Sequence, residues 1–190
     1  MTTPREGVVP APEPGVVPEL GYWLNVLAVS RRRLLRTVAG LSERELDAPP
    51  PVGVNTIGTL LYHVAGADLL WIYQNWLQQP FPADLADLFP AEMWDAEDFL
   101  ARMRGRPLED YLHRLEAGRA KVLDFYRGLT LAQLYAVEWR TGWDGNEYDV
   151  SPWYMIIHLT QHEAEHRGQI DFILESIGWD WPGGPPPKPR

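Results

Sequence analysis

Four stretches of roughly 20 residues, free of internal proline and bracketed by helix start and stop signals, constrain this chain more than any other feature. The last has the clearest bounds: Ser151 is a good N-cap, Pro152 suits the first helical position, and Gly178 closes the segment. The first runs from about Glu19 to Ala39 and stops near Gly40. The second opens at Asn55 or Thr56 and must end before Pro80. The third follows Pro107 and reaches Arg127, with Gly128 as its stop. Amphipathic helices of this length bury their apolar stripes against one another. No βαβ alternation and no internal repeat competes, so the expected fold is an all-α four-helix bundle with one or two longer crossings.

Shorter features fill the connections. SERE, from Ser42, reads as a capping box opening one short helical turn. Asp95 is a candidate cap for a second short helix, from Ala96 to Met103. WRTGWDGNEYDV, from Trp139, combines Asp-Gly with β-favouring residues and reads as a hairpin or an irregular loop. Residues 1–18 are expected to form an extended, flexible arm, residues 19–178 the bundle, and residues 179–190 a flexible proline-rich tail.

Charge and residue usage remove several function classes. The 190-residue chain carries a formal charge of -9, which argues against nucleic acid as a partner because phosphate binding needs a basic footprint. Arg31-Arg32-Arg33 is the one dense basic run, and it reads as a solvated helix face. With no cysteine there is no disulfide, thiolate metal site or cysteine nucleophile, and any thiol chemistry needs a thiol carried in by a substrate. The N-terminal residues do not read as a signal peptide, and no apolar run approaches the ~20 residues of a membrane span, so a cytoplasmic protein is expected.

Three of the five histidines fall within nine positions of the fourth helix: His158, His162 and His166 in HLTQHEAEHRGQI. At about 100° per residue, positions four apart are offset by only about 40°. Met155, Leu159, Gln169 and Ile173 fall on the same stripe as His162 and His166, which therefore should face the bundle interior, with His158 at its edge. In the second helix His63 lies on a stripe with Thr56, Thr59, Leu60, Ala67, Leu70 and Gln74, and Thr59, Gly66 and Ala67 leave space near it. Neutral imidazoles around a divalent cation solve both the hydrogen-bonding and the repulsion problem of buried histidines. Three nitrogen donors suit Zn, Ni, Fe or Mn and leave coordination positions for water or substrate. The competing possibility is that the histidines only satisfy one another.

HEAEH also matches the H-E-x-x-H pattern of zinc peptidases, with Glu163 as general base. The match is expected to be false: the longer pattern is absent, and Glu175, the downstream carboxylate on this uninterrupted helix, cannot close on the same ion. Glu147, Asp149 and Glu163 are instead candidates to support the ligands from behind.

HLTQHEAEHRGQI, the mid-helix histidine of TIGTLLYHVAGADLLW and the linker LSERELDAPP together resemble the DinB-like metalloprotein superfamily over most of residues 19–178. The resemblance implies an up-down-down-up bundle, often a homodimer, and a divalent metal held by His63, His162 and His166. It leaves Arg167, Gly168 and Gln169 without a role. Related branches include mycothiol- and bacillithiol-dependent transferases and a maleylpyruvate isomerase, so a small-molecule thiol and an electrophile are the expected substrates. Tyr22, Trp23, Trp71 and Trp153 are candidates for an aromatic wall beside the metal. A metal-dependent hydrolase and a non-catalytic, stress-related metal-binding dimer are the alternatives. An open coordination position beside a pocket would favour an enzyme over a binder.

Overall fold

The computed structural model describes residue 12 and residues 15–85, 87–90, 93–94, 100–142 and 145–180. Its four long helices start and stop where the local chemistry directs. Helix α1 (Pro18–Thr37) begins on a proline at its first turn and carries Glu19 at the N-terminal end and Arg36 at the C-terminal end, both favourable to the helix dipole. In α3 (Ile57–Leu69), Thr56 accepts a hydrogen bond from the Thr59 amide at 3.2 Å. The helix continues as a wider π-helical stretch, Leu70–Trp76, and so ends before Pro80 as expected. Helix α4 (Leu108–Arg127) ends at Gly128, and α6 (Pro152–Ser176) is capped by Ser151 and followed by Gly178 at a φ of 71°. Between them lie α2 (Glu43–Leu46), where the Ser42 amide donates to Glu45 at 2.9 Å, and α5 (Leu131–Tyr135), capped by Thr130. The short helix expected from Ala96 falls partly outside the described residues. Its described part, Leu100 to Met103, is not helical, and Leu100 bridges to Trp94.

Contacts between helices give the topology. Arg31 meets Glu163 and Thr37 meets Asp171, so α1 and α6 run parallel. Gly58 lies against Tyr111, and Gly118 against Ala65, so α3 and α4 run parallel. Arg31 reaches Leu115 while Arg119 reaches Leu27, and His63 meets His166 while Trp71 meets Tyr154. Those two pairings, α1 with α4 and α3 with α6, are antiparallel. The result is an up-down-down-up four-helix bundle.

Helix α3 is buried on every side, all along its length. It therefore lacks the polar face expected of an amphipathic helix, because α4, α6 and the residues Leu85, Phe89, Met93, Ala101 and Met103 pack around it. Gly66 does not leave space, as its position in the sequence suggested: a side chain there would run into Met93. Gly118 of α4 lets two backbones approach, since a Cβ would stand 2.8 Å from the Ala65 carbonyl oxygen. Gly168, exposed in mid-α6, has open space around it. The two glycines should respond oppositely in urea unfolding. Gly118→Val is expected to lose about 2–3 kcal/mol by overpacking, and Gly168→Ala to gain up to about 1 kcal/mol of helix propensity.

The core has two apolar clusters, and four charged side chains lie between them, one from each long helix. Arg31 contacts Asp68 at 3.2 Å and Glu163 at 2.9 Å, and Arg119 contacts Asp68 at 3.1 Å and Glu163 at 2.6 Å. Both guanidinium groups also donate to main-chain carbonyls, at Leu115 and Leu27. Two positive and two negative groups balance, which is the condition for tolerating such burial. Burial opposes the charge on Arg119, but the carboxylates of Asp68 and Glu163 outweigh it and raise the pKa. Arg31 is thus no part of a solvated face, although Arg32 and Arg33 are exposed.

An antiparallel hairpin of β1 (Glu138–Thr141) and β2 (Glu147–Val150) precedes α6 and resolves the ambiguity of that segment. It is fastened to the end of the π-helical stretch. Arg140 donates to the Trp76 carbonyl at 2.9 Å, and Gln78 donates to the Thr141 carbonyl at 2.9 Å.

Candidate metal centre

His63 projects from α3, and His162 and His166 from successive turns of α6, so the antiparallel α3–α6 pair brings the three rings together. His162 Nε2 lies 2.9 Å from His63 Nε2 and 3.0 Å from His166 Nε2. Two nitrogens bound at the usual 2.0–2.1 Å to one ion stand about 2.9–3.4 Å apart for bond angles of 90–109°. The observed separations therefore suit a shared cation. Either separation alone also suits an N–H···N hydrogen bond, but each ring nitrogen has either one lone pair or one hydrogen, so a single pairing leaves the third nitrogen without a partner. The three histidines form a group able to hold a metal ion.

The surroundings keep the rings neutral. Burial, then the neighbouring histidines, pushes His63 down to about 3 and His162 to about 2. Burial also lowers His166, partly opposed by its hydrogen bond to Gln169. That bond, His166 Nδ1 to Gln169 Oε1 at 2.8 Å, places the proton on Nδ1 and directs the Nε2 lone pair at the site. Gln169 thus acquires the role that its sequence position left open. Arg167 instead pairs with Asp171, which accepts a hydrogen bond from Thr37 of α1.

A pH effect follows for chelator-treated protein. The unfolded chain takes up protons on His63 and His162 near pH 6.5, whereas the folded protein resists until pH falls to about 3 and 2. Stability should be full above pH 6.5 and decline as pH falls below it, by on the order of 1 kcal/mol per histidine at the first unit. Urea midpoints between pH 7.5 and 5 measure this. A His63→Phe variant should show a shallower decline; an unchanged slope would remove the histidines as its cause.

The stripe containing the histidines is not the centre of the core. Met155 and Ile173 on that stripe are buried, but most of the buried residues of α6, Ile156, Leu159, Glu163, Ile170 and Leu174, centre about 75° around the helix from the midpoint of His162 and His166. Gln169 is exposed, and His162 and His166 are only partly buried. His162 stands at the α3–α6 edge and faces a cavity of about 620 Å³, and His166 lies beside it outside that lining. Glu163 is 1% exposed and bound to Arg31 and Arg119, so it neither supports the ligands nor serves as an H-E-x-x-H base. Of the other two candidate supports, Asp149 lines the cavity, while Glu147 is an exposed hairpin residue. His158 lines the cavity outside the triad, with its ring 5.5 Å from that of His162 and 4.4 Å from that of Trp71.

The aromatic wall differs from the one expected. Trp71 belongs to it, but Trp23 and Trp153 pack edge-to-face on each other at 4.8 Å away from the cavity, and Tyr22 is exposed. The other aromatic members are Trp94, Tyr148 and Tyr154. Tyr154 was legible as lying one turn before His158; Trp94 and Tyr148 reach the site from distant segments and carried no such signal.

An up-down-down-up bundle with one histidine on its second long helix and two, four residues apart, on its last defines the DinB-like class. No described helix is long and apolar enough to cross a membrane. Within that class the chain belongs to the mycothiol-S-transferase family, whose model matches residues 23–178. It matches no curated protein. Among solved structures it is similar to a conserved protein from Enterococcus faecalis, with a TM-score of 0.64 and 18% identity, covering 86% of this chain and 98% of that one. At that identity the likeness supports the fold alone.

Proposed function

We propose that this protein is a metal-dependent thiol S-transferase that joins the sulfur of a low-molecular-weight thiol, mycothiol by the family it belongs to, to a carbon electrophile. The observation that carries the reading is the position of the triad: His63 and His162 face a cavity large enough for substrates, which is the arrangement of a reactive centre rather than a closed structural one. His63, His162 and His166 would hold a divalent cation, which would lower the pKa of a thiol that reaches it. The chain itself supplies no sulfur nucleophile. The Nε2 atom of His162 lies within 3.0 Å of those of both His63 and His166, Gln169 fixes the orientation of His166, and Trp71 and His158 line the cavity beside the site. In the transfer, the sulfur–carbon bond forms as the bond from carbon to the leaving group breaks. The leaving group departs with its electron pair, and the thiol proton passes to solvent.

The test is conjugation of mycothiol to a chromogenic electrophile by protein reconstituted with Zn, Ni, Mn or Fe. Turnover is expected with at least one metal and should disappear with chelator. A protein that binds metal stoichiometrically but conjugates no thiol at any metal loading would be a binder or a hydrolase.

A further inference from the structure

One face of α3 passes from the triad straight into the cavity wall: His63, Ala67, Leu70 and Trp71 are spaced by four, three and one residues. Ala67 is the small member, and its short side chain leaves the room that a larger one would occupy. Trp71 stands edge-on to Tyr154 at 5.8 Å. Trp94 stands edge-on to His63 at 5.6 Å. Aromatic surface therefore begins at the histidines and continues outward on two sides. The lining holds little charge. Among the described lining residues Arg140 is the single Arg or Lys, and its guanidinium is already committed to Glu138 and to the Trp76 carbonyl. Asp149 adds one carboxylate, so an anionic substrate would find no uncommitted cationic side chain there and one like charge. A planar, uncharged molecule would find flat apolar walls against which rings stack.

We infer that the wall formed by Ala67, Trp71, Trp94 and Tyr154 is the subsite for the electrophile, and that it selects planar, uncharged aromatic molecules. The inference rests on the thiol-transfer reading for the word electrophile, but the binding it requires does not depend on that reading. It makes Trp71 and Ala67 determinants of specificity rather than of metal binding.

The probe is N-phenyl-1-naphthylamine, an uncharged dye that fluoresces in apolar sites, titrated into chelator-treated and Zn-loaded protein. One saturable site is expected in both forms, displaced by 1-chloro-2,4-dinitrobenzene. Trp71→Ala, which removes wall, and Ala67→Phe, which fills the cavity, should each weaken binding at least tenfold. Phe172→Ala, in the separate groove beside Val52 and Val54, should leave it unchanged. Circular dichroism establishes that each variant is folded. If Trp71→Ala does not fold, Ala67→Phe and displacement from the wild type decide the matter. No saturable binding, no displacement, or binding that survives both cavity variants overturns the inference. The two proposals fail separately. Binding as expected without metal-dependent conjugation refutes thiol transfer and keeps the aromatic subsite. Metal-dependent conjugation of 1-chloro-2,4-dinitrobenzene whose KM is unmoved by Trp71→Ala refutes the subsite and keeps the transfer.

Discussion

Replacing His162 with alanine is expected to weaken divalent-metal binding by more than about 100-fold, while the chelator-treated variant remains folded. His162 is the middle histidine of the three, with its Nε2 atom 2.9 Å and 3.0 Å from those of its two partners. Without it His63 and His166 remain, each supplying one nitrogen from a different helix, and the chelate loses its bridge. A graded control is available in Gln169, which touches only the far nitrogen of His166. Gln169→Ala removes orientation without removing a donor, so its loss should be smaller, about 10–100-fold. Metal content by elemental mass spectrometry, and affinity by competition with a chromophoric chelator, give the two numbers. If both variants hold metal as tightly as the wild type, the three histidines are not the metal centre.

Glu163→Ala is expected to be the most destabilising of the substitutions considered, costing about 3–5 kcal/mol in urea unfolding. The carboxylate is one of two that balance the two buried guanidinium groups, and its Oε2 accepts from both Arg31 and Arg119. Truncation leaves two guanidinium groups between apolar clusters with one carboxylate between them, an uncompensated buried charge. The double change Glu163→Leu with Arg119→Met removes one charge of each sign, and should be less damaging than the sum of the two single losses. This result also separates two interpretations of HEAEH. A catalytic base at Glu163 predicts a folded, stable and inactive protein; a structural anion predicts an unstable one.

The histidines and Glu163 show how far local pattern carries. Spacing by four placed His162 and His166 on one side of one helix, and that holds whatever the helix packs against. The same arithmetic also put Glu163 about 100° away, without saying what stood there. Arg31 lies 132 residues from Glu163 in the chain. Its sequence neighbours Arg32 and Arg33 are exposed, so nothing local marked it as buried. Asp68 and Arg119 are equally anonymous until α3 and α4 are side by side. Trp94 belongs to the site because a connecting segment folds back over His63, and Tyr148 because a hairpin is tied to the end of the π-helical stretch.

The sequence by itself determined the four long helices, their caps and their breaks, because N-caps, prolines and C-terminal glycines act within a turn of where they stand. It also determined the histidine pair on α6, because helical periodicity is a property of the segment alone. Only the tertiary structure decided that His63 completes the site, which face of α6 is core, and which aromatic residues enclose the cavity. Those depend on which helices are neighbours and how each is rotated about its axis. That rotation is set by the sum of many packing contacts between distant segments, including the pairing of four buried charges, and no single stretch of the chain contains it.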